Sequence, residues 1–308
     1  MAKDKKCEIV AVDLGNILVK AVGNTKTFIC ESRIRKVQSN LDEFSQNERF
    51  TFDGEDYLIN SGSFENDILK FKKDNYLALL YYSMVKVISE DQNNINLVVA
   101  IPISQYKSKK DEMEAFIKKN NKKTIILNGK KRTIVIENLV ITPESYSLKV
   151  IREITDKLER GCDTIIIDSG SGTTDISIYN NKLSLIDGKS IQLGLLNLYQ
   201  MCREYINITY DLNISLEEAR LIFNGEKKIL GHEFENKNNI VKKFLIALIN
   251  EIKTVDNLKN SNIVLVGGTA EILGSTMKKI YPQTLIYTDV TLQAQGLYRI
   301  GEKIFNQA

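Results

Sequence analysis

The chain has 308 residues, 43% of them hydrophobic and 26% charged. That length suits one or two domains, and the composition excludes a collagen, a coiled-coil rod or a disordered acidic tail. With 42 basic and 39 acidic residues the net charge is +3, so there is no general electrostatic drive onto nucleic acid. No stretch reaches the roughly 18 uncharged apolar residues of a membrane helix. The opening run Met-Ala-Lys-Asp-Lys-Lys lacks an apolar signal core, and the expectation is a cytoplasmic chain with no membrane partner. Cys7, Cys30, Cys162 and Cys202 are far apart and form no CxxC pair, so zinc and redox motifs lack their usual signal. The only histidine, His232, lies in a loop-like Leu-Gly-His-Glu context, which leaves His-dependent triads little to build on.

In chain order, Glu8–Asp13 reads as a buried strand, followed by a tight turn at Leu14-Gly15-Asn16 and strands at 17–22 and 26–31. Residues 49–60 read as a hairpin turning at Asp53-Gly54. Asn75–Ser89 has helical spacing, and Ile95–Ile101 is an apolar strand ended by Pro102. A charged helix is expected over 104–119. A hairpin around Asn128-Gly129 covers 123–138, and a short strand covers 139–142. Pro143-Glu144 then reads as the opening of a helix to about Leu158. The second half starts the same way, with a strand over 163–168, a turn of small residues, and strands at 174–179 and 182–186. Residues 190–261 read as mostly helical, including a capping box at Ser215–Glu218 and a long amphipathic helix over 236–256. A strand at 262–266 closes on Gly267-Gly268-Thr269, and helices at 270–280 and 291–305 finish the chain.

Aligning Asp13 with Asp168 brings Gly15 onto Gly170. Both aspartates end an apolar strand, and both turns lead into another strand. This is an internal duplication of a three-strand unit. Three strand ends therefore carry small or acidic residues: Asp13-Leu14-Gly15-Asn16, Asp168-Ser169-Gly170-Ser171-Gly172-Thr173-Thr174-Asp175, and Gly267-Gly268-Thr269. Glycines let backbone N–H groups approach phosphate oxygens, and the hydroxyls of Ser169, Ser171, Thr173 and Thr174 add donors. Aspartates at strand ends suit a hydrated Mg²⁺, which keeps several waters and takes one or two carboxylates. The expectation is a nucleoside triphosphate clamped by two similar hairpins. No G-x-x-x-x-G-K-[ST] occurs, and Gly170-Ser171-Gly172 precedes a strand where a dinucleotide fingerprint needs a helix.

These three motifs, in this order, resemble the actin/hexokinase/heat-shock-chaperone ATPase superfamily. Asp13-x-Gly15 is similar to its first phosphate loop and residues 168–175 to its second. Leu265–Glu271 is similar to its adenosine motif and Ala294–Leu297 to its late connecting motif. Residues 52–57, 99–106 and Thr142-Pro143-Glu144-Ser145 together resemble the ParM branch, bacterial actin-like ATPases that segregate plasmids. The chain departs from the commoner pattern at Ser171 and Thr269, and neither change removes a backbone donor.

The resemblance implies an α/β, duplicated actin-like (ribonuclease H-like) fold of two domains around a nucleotide cleft. Domain I would cover 1–160, with an insertion at about 32–73, and domain II 161–308, with a helical insertion at about 190–261. It implies Mg²⁺-dependent hydrolysis of ATP, or GTP, coupled to filament assembly, with plasmid DNA held only indirectly through a DNA-binding adaptor protein. Asp13 and Asp168 would hold Mg²⁺ through water. Glu144, with Asp168, would be catalytic by orienting the water that attacks the γ-phosphate. Gly15, Asn16, Ser169, Gly170, Ser171, Gly172, Thr173, Gly267, Gly268 and Thr269 would line the nucleotide. Lys20, seven residues after Asp13, would reach a β- or γ-phosphate, although a solvated strand lysine has the same sequence signature. Glu218 and Arg220 lie on the capped helix that borders adenine and ribose in the superfamily. Asp175 is expected to fix the second hairpin. The lysines at 107–110 and 118–123 read as a solvated helix face. The alternatives are a small-molecule kinase of the same superfamily and a non-catalytic nucleotide-gated scaffold.

Overall fold

The computed structural model describes residues 7–38, 42, 46–64, 69–253 and 258–306. The opening run 1–6, parts of the expected insertion (39–41, 43–45 and 65–68) and residues 254–256 of the expected long helix lie outside them. The chain divides into two units, residues 1–156 with 290–308, and residues 157–289.

In the first unit, β1 (Glu8–Leu14), β2 (Leu18–Val22) and β3 (Thr27–Glu31) form an antiparallel meander. Next come β4 (Ile34–Lys36) and the hairpin β5 (Arg49–Phe52) and β6 (Glu55–Ile59). Asp53 and Gly54 both take positive φ there, as a two-residue hairpin turn requires. A 3₁₀ turn (Lys70–Lys72) precedes α1 (Tyr76–Val87), β7 (Asn94–Ile101), α2 (Ile103–Lys119), β8 (Lys122–Leu127) and β9 (Lys130–Pro143). A second 3₁₀ turn (Tyr146–Val150) and the single-turn α3 (Arg152–Thr155) follow. The nine strands form one sheet in the order β3-β2-β1-β7-β9-β8-β5-β6-β4.

The apolar run of β1 is explained by burial on both faces. Val10 and Val12 join the large core that includes Leu80 and Met84 of α1, while Ala11 packs with Val98 and Leu297 on the other face. Leu297 belongs to the last helix, Leu292–Phe305. The expected boundary groups residues 161–308 together, yet this helix folds with the first unit. Its small residues allow the contact: a Cβ on Gly296 would lie 2.4 Å from the Ser147 carbonyl oxygen, and one on Gly301 2.7 Å from Ile9.

The second unit contains β10 (Thr164–Ser169), β11 (Thr174–Tyr179), β12 (Leu185–Ile191), α4 (Leu195–Tyr210), α5 (Leu216–Phe223), α6 (Lys237–Lys253), β13 (Asn262–Val266), α7 (Ala270–Ile280) and β14 (Thr284–Ile286). Its sheet order is β12-β11-β10-β13-β14. This matches β3-β2-β1-β7-β9 strand for strand, with two antiparallel pairs and then two parallel ones in each. The duplication thus covers five strands, beyond the three visible in sequence. Ile165 and Ile167 of β10 enter a core with Leu198 of α4 and Phe244 and Leu248 of α6.

Three elements differ from expectation. The strand expected at 182 starts at Leu185, because the Asn180 carboxamide oxygen accepts from the N–H groups of Lys182 and Ser184, both at 3.0 Å, and holds a wider loop. The hairpin and the separate short strand expected over 123–142 are β8 and one long β9. β9 continues through 137–138 because a register shift opposite Ile95/Asn96 absorbs the extra residue as a bulge. The helix expected over 144–158 is absent: Ser145 is left-handed (φ 63) and only short turns follow.

Candidate functional site: two Asp-x-Gly turns and a buried carboxylate

In the first unit β1 carries Asp13 to its end, and the turn closes through Gly15 N–H donating to Leu18 O at 3.0 Å. The β1–β2 register sets Asp13 opposite Lys20. The Lys20 ammonium donates to Asp13 Oδ2 at 2.9 Å, so the sequence spacing of seven becomes a direct ion pair. Asn16 is buried beside them, and its Oδ1 accepts from Lys73 Nζ at 2.9 Å.

Glu144 follows the last residue of β9, and its N–H bonds Ile101 O at 2.8 Å. Its carboxylate is only 6% exposed and accepts from Lys70 Nζ at 2.5 Å. Burial, and then the Glu144 charge, raise the Tyr76 phenol, keeping it neutral. The next residue, Ser145, is fully buried in a left-handed conformation that costs a non-glycine residue about 1–2 kcal/mol. The last helix stabilises it: Ser145 N–H donates to Gln293 Oε1 at 2.9 Å, and the Ser147 hydroxyl donates to Gln293 O at 3.2 Å. Because Glu144 is not in the first turn of a helix, helix-dipole stabilisation does not account for it. Two residues earlier, the buried Thr142 hydroxyl has no hydrogen-bond partner among the described residues.

In the second unit the turn repeats, with Gly170 N–H donating to Thr173 O at 2.9 Å. The β10–β11 register sets Asp168 opposite Asp175. Asp175 is buried and accepts from the Ser190 hydroxyl at 2.5 Å, which ties β11 to β12. The start of α4 lies against the loop, with Leu195 and Leu196 N–H groups donating to Gly170 O and Ser171 O. That approach excludes a side chain at Gly194, where a Cβ would lie 2.6 Å from Ser171 O. After β13, Gly267 has φ +90, and a Cβ there would meet Ser169 O at 2.5 Å and Asp168 Oδ1 at 2.7 Å. The Gly267 turn and the Asp168 loop are thus packed backbone to backbone.

Several expected donors are engaged inside the loops. The Ser169 and Thr174 hydroxyls bond each other at 2.8 Å, and Thr174 also donates to Leu193 O. Thr269 donates through both N–H and hydroxyl to Ser169 O, each at 3.2 Å. These three side chains tie the loop together, whereas Ser171, Gly172 and Thr173 remain partly exposed. Gly268 lies next to this packed turn. Glu218 completes the Ser215 capping box, and its other oxygen accepts from Lys227 at 2.5 Å. Lys227, and then the Ser215 backbone, pull the Glu218 carboxyl below its usual range. Arg220 pairs with Glu217 at 2.8 Å.

Residues 11–146 match the family model of the actin-like proteins' N-terminal domain. By structure, a pCBH ParM non-polymerisable quadruple mutant is 20% identical, with a TM-score of 0.79 over 97% of this chain and 100% of its own. A 15-stranded ParM filament from Clostridium botulinum is 17% identical, with a TM-score of 0.80 over 97% and 100%. The archaeal actin homologue Ta0583 is 17% identical, with a TM-score of 0.81 over 96% and 99%, and has also been determined in complex with ADP. No curated protein sequence matches. The chain has the actin-like, ParM-type fold.

The donor set constrains what the Asp13 turn could hold. Among the described residues no group of three or more His, Cys, Asp or Glu side chains forms a metal cluster. Asp13 is already paired with Lys20, so a Mg²⁺ beside it would sit mainly on phosphate oxygens and water, with Asp13 holding a water of its shell. The residues present fit that outer role. Sequence reasoning missed Lys70, Lys73, Ser145 and Gln293. The two lysines lay inside the stretch expected as an insertion, with partners 74 and 57 residues away. Ser145 and Gln293 had no legible signal, because their contact spans 148 residues.

Proposed function

We propose that this chain is an actin-type nucleoside triphosphatase using ATP or GTP with Mg²⁺, in which each unit supplies one phosphate-binding loop. Its nucleotide state governs assembly into filaments, and the filaments move plasmid DNA through a DNA-binding adaptor protein. The observation that carries the reading is the Asp-x-Gly turn that recurs in both units, closed by the same hydrogen bond in each, together with the buried Glu144 carboxylate of the first unit. In this reading Asp13, Asp168 and the exposed part of 171–173 hold the phosphates and their metal. Glu144 orients the attacking water and takes its proton. Phosphoryl transfer needs such positioning more than a strong base. Self-assembly is supported by the filament relative, and nucleotide use by the ADP complex of the archaeal homologue. Bound triphosphate favours the assembling conformation and its hydrolysis weakens that preference, as a ligand with differential affinity for two states must.

Right-angle light scattering with pelleting, on protein with Mg²⁺ and ATP, GTP or no nucleotide, tests this when phosphate release is followed in parallel. Scattering should rise only with triphosphate and fall as phosphate appears. Phosphate release with no scattering at any concentration would remove the filament claim and favour a small-molecule kinase.

A further inference from the structure

The 3₁₀ turn Lys70–Lys72 lies outside every motif that points to nucleotide chemistry, yet its lysines reach two of those motifs. Phe71 is buried and faces Phe116 of α2, with ring centroids 6.0 Å apart, which anchors the turn. Lys72 points to the other side and pairs with Glu112 of α2 at 2.8 Å. Lys70 opens the turn, and Lys73 is the extended residue that closes it. Lys70 Nζ meets Glu144 Oε1 at 2.5 Å, with both side chains nearly removed from solvent at 15% and 8% exposure. Lys73, 8% exposed, donates to Asn16 Oδ1 at 2.9 Å. One short turn therefore holds the buried carboxylate and the first phosphate loop at once.

We infer that Lys70 is a positioning residue for Glu144, and that this turn couples the carboxylate to the first phosphate loop. The inference rests on the reading of Glu144 as the group that orients the attacking water. A carboxylate this buried needs a partner to stay charged, and an ammonium bound to one oxygen also fixes where the other points. Lys70 itself is not asked to touch the nucleotide. Its removal should misplace the carboxylate and lower turnover, because misplacement by about 1 Å is enough to cost up to 10²-fold in rate.

The test compares wild type, K70M, E144Q and the double variant K70M/E144Q in steady-state and single-turnover hydrolysis of ATP with Mg²⁺. K70M should lower kcat about tenfold or more with KM nearly unchanged, and should have no further effect in the E144Q background. K72M, which removes the Glu112 contact, should leave both constants near wild type. The double variant leaves no uncompensated buried charge, so it carries the test if K70M alone does not fold: its kcat should equal that of E144Q. A K70M enzyme with wild-type kcat, a rise in KM alone, or an additive loss in the double variant would overturn the role of Lys70. Absence of phosphate release from wild type would instead overturn the reading of the site on which the inference rests.

Discussion

The two units make the same turn with opposite chemistry. In both, an aspartate ends an apolar strand, and a glycine two residues later closes the turn by donating to the carbonyl three residues on, at 3.0 Å in one and 2.9 Å in the other. In both, the residue seven positions on sits opposite the aspartate. In the first unit that residue is Lys20, an ion-pair partner. In the second it is Asp175, a buried carboxylate bonded to Ser190. The fourth strand of each repeat diverges too: β7 is followed by Pro102, whereas β13 is followed by Gly267, packed against the Asp168 loop. The comparison teaches that duplication conserved the backbone path while the tasks divided. The first unit places charges: Asp13, Lys20, Lys70, Lys73 and Glu144. The second builds a close-packed backbone surface from Ser169, Thr174, Gly194, Gly267 and Thr269.

The largest effect that would sharpen this contrast is at Gly267. Gly267→Ala combines backbone strain with a clash against Ser169 O, so it should destabilise the second unit by about 3 kcal/mol or more and abolish nucleotide binding. Gly54→Ala is the control: it has the same φ of +90 with nothing within 4 Å, and should cost only about 1 kcal/mol. Thermal melts of the two separate strain from packing. A Gly267→Ala protein no less stable than Gly54→Ala would break the claim that the second loop depends on backbone contact.

The next effect compares the paired positions. Lys20→Met should weaken triphosphate binding about tenfold, or about 1.4 kcal/mol, and also lower the melting temperature, because it strips the buried Asp13 of its ammonium. Asp175→Asn should lower stability by about 1–2 kcal/mol with affinity kept. Titration with a fluorescent nucleotide alongside melts checks both. Equal effects of the two variants on affinity would mean that the two hairpins did not divide their tasks.

The smallest effect is one the two units share. Each has one buried and one partly exposed thiol. Burial pushes Cys30 and Cys202 up to about 12. Cys7 and Cys162 should react quickly with a thiol reagent near pH 8, and the other two only as the protein unfolds. Above about pH 9 the unfolded chain loses these two protons while the folded chain keeps them until about pH 12. Stability should therefore fall as pH rises through that interval. A denaturation series from pH 8 to 10 would show it, and serine at both buried positions should flatten the slope.

The parts of the fold legible in sequence were those set by local pattern. Apolar strands ending in aspartate, the Asp53-Gly54 turn and the Ser215 capping box are all decided by neighbours a few residues apart. The duplication could be read for three strands because Asp13 and Asp168 carry the marker. The fourth and fifth strands carry no shared residue, and only the register shows that they correspond. At the site, the loop residues were legible by type but not by use. Ser169 and Thr269 read as phosphate donors in sequence, and their hydroxyls bond Thr174 and the loop backbone. Glu144 was expected on a helix because Pro143-Glu144 favours a first turn, but Gln293 holds Ser145 left-handed and stops that helix. Lys70 and Lys73 were hidden inside a stretch read as insertion, since their partners lie 74 and 57 residues away.

The most direct test of the whole account is nucleotide binding and phosphate release measured together on wild type and Glu144→Ala. Binding of triphosphate with Mg²⁺ should be the same for both, and the variant should release phosphate at least about 10²-fold more slowly, the contribution expected of a positioned general base. Wild-type phosphate release from Glu144→Ala, or failure of the wild-type protein to bind triphosphate, would contradict it.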